Sequence, residues 1–321
     1  MLAAVAERHD VAGVVTQPDR PAGRGQRLVA TPVKQAAQAR GLRVLTPERL
    51  RSFVDEARDI GAEAFVVASY GKIVPRALLE LVPVAFNVHP SLLPLYRGAT
   101  PLQSAIRDGR TQTAVTIIAM DAGMDTGDVL LQEPLPIGAT ETYGELHDRT
   151  AAIGAAMVIE AIDRYRQGTL APRTQVELAR EFGITEAEIG ATLTRPLHKD
   201  DLVIQGDLSM KQIVDLIRSL SPNPAARTKG GFAGFGPGKI LAASVARDAP
   251  AIPAKIRDPG AAVLAKGRIW LEAVDGMVQV DALQMPGGKP MTARQFALGH
   301  PGLSGPQTRL PYVREFEAAH A

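Results

Sequence analysis

The chain has 321 residues, of which 45% are hydrophobic and 22% charged, and it contains no cysteine. At roughly 100–200 residues per domain, this length indicates two domains. The lack of cysteine excludes disulfides, thiolate nucleophiles and cysteine-ligated metal sites. No apolar run reaches the roughly 18 residues of a membrane span, and the N-terminus does not resemble a signal peptide, so we expect a cytoplasmic protein.

Charge is unevenly distributed along the chain. Residues 1–194 hold 20 basic and 23 acidic residues, whereas residues 195–321 hold 16 basic and 11 acidic residues. Two explanations fit the basic second part about equally well: a polyanionic partner, or ordinary variation in surface charge along the chain. The six histidines have no ligand-like spacing, so we expect no metal.

In chain order, short apolar runs alternate with helical patterns through the first 140 residues. The alternation is typical of an α/β domain with a Rossmann-like, mainly parallel sheet that helices cover on both faces. The predicted helices are Leu2–Arg8, Pro32–Arg40 and Pro47–Glu56, and the predicted strands are Val11–Val15, Leu42–Leu45, Ala64–Ala68, Ala85–His89, Ala114–Met120 and Val129–Pro134, the last two as a hairpin-like pair.

The pattern changes after the long helix predicted over Thr142–Gln167, which ends at Gly168. We therefore predict a first, α/β domain over residues 1–168, a linker with one short helix over 169–194, and a second domain over 195–321. Short strands separated by glycine and proline in this last part predict a smaller, OB-like β-barrel.

The stretch from Phe86 to Pro101 contains the most informative residues. Asn87 and His89 are two positions apart on a predicted strand, and side chains two apart in a strand project from the same face. Pro90 and Pro94 then predict a rigid loop at the strand end, where open α/β sheets bind ligands. Alone, a histidine at a strand end is more often structural than catalytic.

A second segment, Ala119–Asp128, places three carboxylates in ten residues with two glycines between them. Alone, it indicates an acidic turn with local hydrogen bonds. Together, however, Asn-x-His-x-Ser-Leu-Leu-Pro-x-x-Arg-Gly and Met-Asp-x-Gly-x-Asp-x-Gly-Asp resemble the folate-dependent formyltransferases. The resemblance implies a catalytic trio of Asn87, His89 and Asp125, and a tetrahydrofolate pocket lined by Ser91, Leu92, Leu93, Pro94, Ser69, Tyr70 and Gly71.

The resemblance implies that 10-formyltetrahydrofolate is the formyl donor and that an amine accepts the group through a tetrahedral adduct. Asn87 would then donate to the developing oxyanion. His89 would either take the proton of the attacking amine or, as imidazolium, help to hold the oxyanion. Asp125 would orient the imidazole and favour its protonated form. The sequence leaves both roles of His89 open.

The string TQPDRPAGRGQR, Thr16–Arg27, carries three arginines on a loop rich in glycine and proline. Composition alone favours a solvated surface turn. The string nevertheless resembles the loop that methionyl-tRNA formyltransferases insert toward the tRNA acceptor stem, which implies that initiator methionyl-tRNA is the partner and that Arg20, Arg24 and Arg27 bind it.

Family members begin with a strand and a Gly-Thr-Pro loop before the helix that here starts at Met1, so we expect this first strand to be missing from the sheet. Two other functions stay open. One is formylation of a sugar-nucleotide amine on the same catalytic domain, and the other is an inactive folate- or RNA-binding remnant. We expect a monomer.

Overall fold

The computed structural model describes residues 1–22, 27–228, 238–246, 262–265, 268–299 and 308–309. The chain divides into two compact units. The first comprises residues 1–101, 112–136 and 148–195, and the second comprises residues 102–111, 137–147 and 196–321. Among the described residues, no helix is both long enough and apolar enough to cross a membrane.

Helices and strands alternate in the part of the chain that forms most of the first unit. The helices are α1 (Leu2–Arg8), α2 (Pro32–Gln38), α3 (Val54–Ile60), α4 (Arg76–Leu79), α5 (Pro101–Arg107) and α6 (Tyr143–Arg166). The strands are β1 (Val14–Val15), β2 (Arg20–Ala22), β3 (Arg27–Val29), β4 (Val44–Leu45), β5 (Ala64–Val67), β6 (Val84–His89), β7 (Gln112–Ala119) and β8 (Val129–Pro136).

The main sheet of this unit has four strands in the order β5-β6-β7-β8. β5 and β6 are parallel, whereas β6–β7 and β7–β8 are antiparallel. β1 and β4 form a separate parallel pair, and β2 and β3 form an antiparallel hairpin. The prediction of an α/β fold with parallel strands is confirmed, but the sheet is mixed because the hairpin-like pair β7–β8 reverses direction after β6.

Apolar side chains of α3, α4 and β4 form one core of the first unit. Its buried members are Leu45, Leu50, Phe53, Ala57 and Leu78. The helix predicted over Pro47–Glu56 instead begins at Val54, after a short 3₁₀ turn over Leu50–Ser52. It ends at Gly61, whose φ of 65° is left-handed and therefore suits glycine as a helix stop.

The segment predicted as a linker contains two helices, α7 (Gln175–Phe182) and α8 (Glu186–Ala191), and lies within the first unit up to residue 195. Arg173 pairs with Val129 of β8, and Thr194 pairs with Gly98. The segment is therefore packed structure. The boundaries at residues 168 and 194 stay predictions.

The second unit contains an antiparallel sheet. Its strands are β11 (Lys239–Val245), β12 (Ala262–Ala265), β13 (Arg268–Ala273), β14 (Gly276–Gln284), β15 (Pro290–Thr292) and β16 (Thr308–Arg309), and the order is β11-β14-β13-β12-β16 with β15 on β14. The short elements β9 (Val203–Ile204) and β10 (Arg227–Thr228) pair separately. The predicted short strands are thus confirmed, whereas closure into an OB-like barrel stays a prediction.

Helices α9 (Met210–Leu220) and α10 (Ala293–Leu298) also belong to the second unit, together with nearly all of α5. α9 begins with a capping box between Ser209 and Gln212, a local signal that a sequence shows directly. The core of the unit includes Ile213 and Ile217 of α9 with Leu271 and Val278 of the sheet.

Candidate active site

Strand β6 carries Asn87 and His89 to its carboxyl end. Both side chains are buried, with relative exposures of 9% and 4%. Val88 lies between them and faces the other side of the sheet, where it packs against Gly154 of α6. The two residues are so close that a Cβ added to Gly154 would lie only 2.7 Å from Cγ1 of Val88. The close approach of α6 therefore fixes one face of β6, and the amide and imidazole emerge together on the other face.

Asp125 lies in the turn between β7 and β8, and its carboxylate meets both side chains of β6. Oδ1 accepts a hydrogen bond of 3.1 Å from Nδ2 of Asn87, and Oδ2 lies 3.6 Å from Nδ1 of His89. The main-chain N–H of Gly98 also donates to Oδ2, at 2.9 Å. The structure therefore brings together the three side chains predicted as the catalytic trio.

His89 is held in a defined orientation by a main-chain oxygen. Its Nε2 lies 2.9 Å from the carbonyl oxygen of Tyr96. Because a carbonyl oxygen only accepts, Nε2 carries the proton, and in the neutral ring Nδ1 holds the free lone pair.

Burial controls the protonation of His89. Burial lowers the pKa of His89 below its ordinary value, the Asp125 carboxylate and the Tyr96 carbonyl raise that pKa in part, and the Arg97 charge lowers it. The net shift of the pKa is downward, so the neutral ring is favoured. The Asp125 carboxylate does favour the protonated ring, as expected. Its effect on the pKa is smaller than the effect of removing the charged ring from water.

The turn that presents Asp125 has a strained main chain, because φ of Asp125 is 55°, in the left-handed region. Gln175 of α7 supports it. Its Nε2 donates to the carbonyl oxygens of Asp125 and Gly127 at 2.8 and 2.9 Å, and its Oε1 accepts from Nε and Nη2 of Arg97 at 2.9 and 2.7 Å. This glutamine, 4% exposed, is a positioning residue that the sequence analysis missed.

Two threonines from the same segment hold the loop after β6. The hydroxyl of Thr192 accepts from the N–H of Tyr96, and the hydroxyl of Thr194 donates to the carbonyl oxygen of Arg97. The local signals in this segment are helix caps, such as the capping box of Thr174 and Glu177 at the start of α7, and they predict helices but not their distant partners.

The predicted folate loop, Ser91–Pro94, follows β6 directly. Ser91 and Leu93 are completely buried. The Ser91 hydroxyl donates to the carbonyl oxygen of Leu95, and Leu93 packs in a cluster with Ile118, Val129 and Leu178. These two side chains therefore shape the loop from inside, whereas Leu92 is half-buried and presents part of its surface outward.

The other predicted folate residues follow β5. Ser69 has a φ of 48° and Gly71 a φ of 73°, so the chain turns sharply on both sides of Tyr70. Tyr70 and Gly71 line a cavity of about 330 Å³. Arg20, which was predicted to bind tRNA, lines the same cavity. The structure therefore brings a predicted tRNA-binding residue next to two predicted folate-binding residues.

Of the predicted tRNA-binding arginines, Arg20 lies in β2 and Arg27 in β3, so both belong to one hairpin. Arg24 lies outside the described residues. Within the described part of the chain, no group of three or more histidine, aspartate or glutamate residues is arranged to hold a metal ion.

The chain belongs to the formyl transferase family. It matches the formyl transferase model over residues 2–162 and the formyl transferase C-terminal domain over residues 196–301. The first match covers the α/β region that carries Asn87, His89 and Asp125, and the second match covers the region that follows it.

Among curated relatives, the chain is 40% identical to the methionyl-tRNA formyltransferase of Chromobacterium violaceum, over 92% of this chain and 90% of the relative. It is 39% identical to the methionyl-tRNA formyltransferase of Roseiflexus castenholzii, over 91% of this chain and 88% of the relative. An N-formyltransferase of Helicobacter canadensis, solved with folinic acid and dTDP-3-aminofucose, shares the fold with a TM-score of 0.60 at 17% identity, over 89% of this chain and 94% of that one.

Proposed function

We propose that this protein transfers the formyl group of 10-formyltetrahydrofolate to the amino group of methionine on initiator methionyl-tRNA, for translation initiation. The observation that carries the proposal is the convergence of Asn87 and His89 on the Asp125 carboxylate in a chain about 40% identical to methionyl-tRNA formyltransferases. We further propose that the protein acts as a monomer in the cytoplasm.

The side chains of the trio suit a formyl donor. Asn87 uses one amide hydrogen on Asp125, and an amide nitrogen has two, so one remains to donate to a formyl oxygen. The folate co-substrate supplies the electrophilic formyl carbon. As an amine attacks that carbon, negative charge develops on the oxygen, and loss of one such donor costs about 2.7–4 kcal/mol of barrier.

His89 acts as the general base of the proposed reaction. Its net pKa shift is downward, so the ring is neutral at physiological pH and Nδ1 is available to take a proton from the attacking amine. The nearby Asp125 carboxylate then stabilises the imidazolium that forms. The imidazolium returns its proton to N10 of the departing tetrahydrofolate as the bond between N10 and the formyl carbon breaks. This assignment favours one of the two roles that the sequence left open.

The folate co-substrate is held by the loop Ser91–Pro94 and by Ser69, Tyr70 and Gly71 at the neighbouring strand end. Because β5 and β6 are parallel and Val67 is paired with Asn87, the residues that follow both strands lie along one edge of the sheet. Ligands of open α/β sheets bind at this edge.

The acceptor tRNA is bound electrostatically. The arginines Arg20, Arg24 and Arg27 contact the acceptor stem, and the second domain, residues 195–321, contributes its basic surface as an OB-like barrel. Arginine binds phosphate through two parallel hydrogen bonds, and such contacts weaken as salt increases.

The direct test measures formyl incorporation into initiator methionyl-tRNA by the purified protein with 10-formyltetrahydrofolate. Asn87→Ala should lower kcat by about 100-fold or more, and His89→Ala should lower it further at neutral pH. His147→Ala serves as the control because its side chain is exposed and belongs to the second unit. Unchanged rates in both variants of the trio would refute the assignment of roles.

A competition assay separates the proposed acceptor from the sugar-nucleotide amine. With both acceptors present, the wild-type protein should formylate methionyl-tRNA, and Arg24→Ala should weaken that reaction alone. Formylation of the sugar-nucleotide amine in preference to tRNA would overturn the proposed acceptor. Binding of folate without any turnover would indicate an inactive remnant.

A further inference from the structure

A row of polar side chains crosses the main sheet at the position of His89. Thr116 of β7 is paired with His89 of β6 on one side and with Gln132 of β8 on the other. Residues paired directly across antiparallel strands project from the same face of a sheet. Thr116 is completely buried and Gln132 is half-buried. Both side chains therefore lie on the face of the sheet that carries the proposed catalytic trio.

The side chains of Thr116 and Gln132 are joined to each other and to the loop Ser91–Pro94. The Thr116 hydroxyl donates to the carbonyl oxygen of Ser91 at 2.7 Å. Nε2 of Gln132 donates to that hydroxyl at 2.9 Å and to the carbonyl oxygen of Leu93 at 3.1 Å. An amide nitrogen has two hydrogens, so both are used on this network. A single glutamine thus holds two carbonyl groups of the loop, one directly and one through a threonine.

The loop Ser91–Pro94 meets this face of the sheet through apolar packing as well. The Leu93 side chain packs in one cluster with Ile118 and Val129, which holds the loop against the sheet. Apolar packing is non-directional, so it does not by itself fix the orientation of the peptide groups in the loop. Hydrogen bonds are directional, so the bonds donated by the polar row fix that orientation.

We propose that Gln132 is a positioning residue for the folate co-substrate, because its amide group fixes the path of the loop Ser91–Pro94. It acts directly at Leu93 and, through Thr116, at the start of the loop. The inference rests on the proposed function, which assigns this loop to the folate. Loss of the amide should therefore impair folate binding more than it impairs proton transfer at His89.

Replacement of Gln132 by methionine tests the inference. Gln132→Met removes both hydrogen bonds and keeps the length and flexibility of the side chain. The matched control is Gln284→Met, because Gln284 also lies in a strand and donates to one loop carbonyl oxygen, that of Gly288. For each protein, calorimetry gives the Kd for 5-formyltetrahydrofolate, and steady-state formylation gives the KM for each substrate and the pH dependence of kcat.

Three threonine variants of β7 provide an independent test that leaves Gln132 in place. Thr116→Val removes the hydroxyl group at the centre of the network, whereas Thr116→Ser retains it. Thr113→Val is the control, because Thr113 is 1% exposed on the same strand and its hydroxyl has no hydrogen-bond partner among the described residues. If Gln132→Met failed to fold, these three variants would decide the inference by themselves.

Gln132→Met and Thr116→Val should each raise the folate Kd and the KM for 10-formyltetrahydrofolate about fivefold to thirtyfold, through the loss of hydrogen bonds that hold the loop. The KM for methionyl-tRNA should stay within about twofold, and the acid limb of kcat should stay at the same pH. Thr116→Ser and both controls should bind the folate within about threefold of the wild-type protein. General destabilisation would not separate the two substrates in this way.

An unchanged folate Kd in Gln132→Met and Thr116→Val would overturn the inference, and so would an equal rise in Thr113→Val. A shifted acid limb with a normal folate Kd would also overturn it, because the polar row would then act on His89. If the wild-type protein bound the folate but did not formylate methionyl-tRNA, the proposed function would fail, and the folate Kd of the variants would still decide the inference.

Discussion

Replacement of Gln175 by methionine tests whether the segment after α6 controls catalysis from a distance. Methionine keeps the length and flexibility of the side chain but removes its four hydrogen bonds, two accepted from Arg97 and two donated to the main chain of the Asp125 turn. A bond from a charged donor contributes about 1.5–3 kcal/mol and a neutral one about 1 kcal/mol. The two bonds from Arg97 share one oxygen and Arg97 is half-exposed, so together they count as about one charged bond; with the two neutral bonds, we expect the free energy of unfolding to fall by about 3–5 kcal/mol.

The catalytic effect should appear in kcat, because Gln175 touches the main chain that presents Asp125 and not the proposed reacting atoms. Without the glutamine, the left-handed turn at Asp125 loses its support and the carboxylate shifts relative to His89. A displacement of about 1 Å costs on the order of 100-fold in rate. We expect kcat to fall by about 10- to 100-fold, with the KM for both substrates nearly unchanged.

The measurement combines urea unfolding, followed by circular dichroism, with steady-state formylation. Gln35→Met is the matched control, because this exposed glutamine donates a single bond, to the carbonyl oxygen of Ala30. The control should lose less than about 0.5 kcal/mol. A Gln175→Met protein with normal kcat, or one whose only defect is a raised KM, would refute the positioning role.

Two further predictions concern the same turn. Since the Asp125 carboxylate raises the pKa of His89, Asp125→Asn should lower that pKa further, so the acid limb of the kcat/KM profile should move to lower pH. Gly127→Ala would place Cβ 1.8 Å from the carbonyl oxygen of Ala119, and we expect a loss of about 3 kcal/mol or more in unfolding free energy.

The outcomes that contradict these predictions are specific. An acid limb that moves to higher pH in Asp125→Asn would mean that His89 does not act as the neutral base. The control for Gly127→Ala is Gly190→Ala. A Cβ at position 190 would meet nothing within 4 Å, and the residue lies in helix α8, where alanine is favoured over glycine by about 0.5–1 kcal/mol. Equal stability of the two glycine variants would contradict the packing argument.

Local patterns in the sequence were sufficient for several elements. The long helix predicted over Thr142–Gln167 is observed over Tyr143–Arg166, and the strand pair β7–β8 forms as predicted. These elements are long and bounded by glycine or turn residues, and β7 is a continuous run that is buried from Thr113 to Ile118, so local physics determines them. The strand predicted over Val11–Val15 is shorter, Val14–Val15, because pairing with β4 decides its length.

The shared strand face of Asn87 and His89 follows from their spacing in the sequence alone, whereas their grouping with Asp125 was implied by the resemblance to the folate-dependent formyltransferases. Only the tertiary structure decided how the site works. It placed the Asp125 carboxylate against both side chains, buried His89 enough to lower its pKa, and recruited Gln175 from a segment that resembled a linker. Spacing along a chain determines which side chains point the same way, but burial and long-range hydrogen bonds depend on how distant segments pack, and no local pattern contains that information.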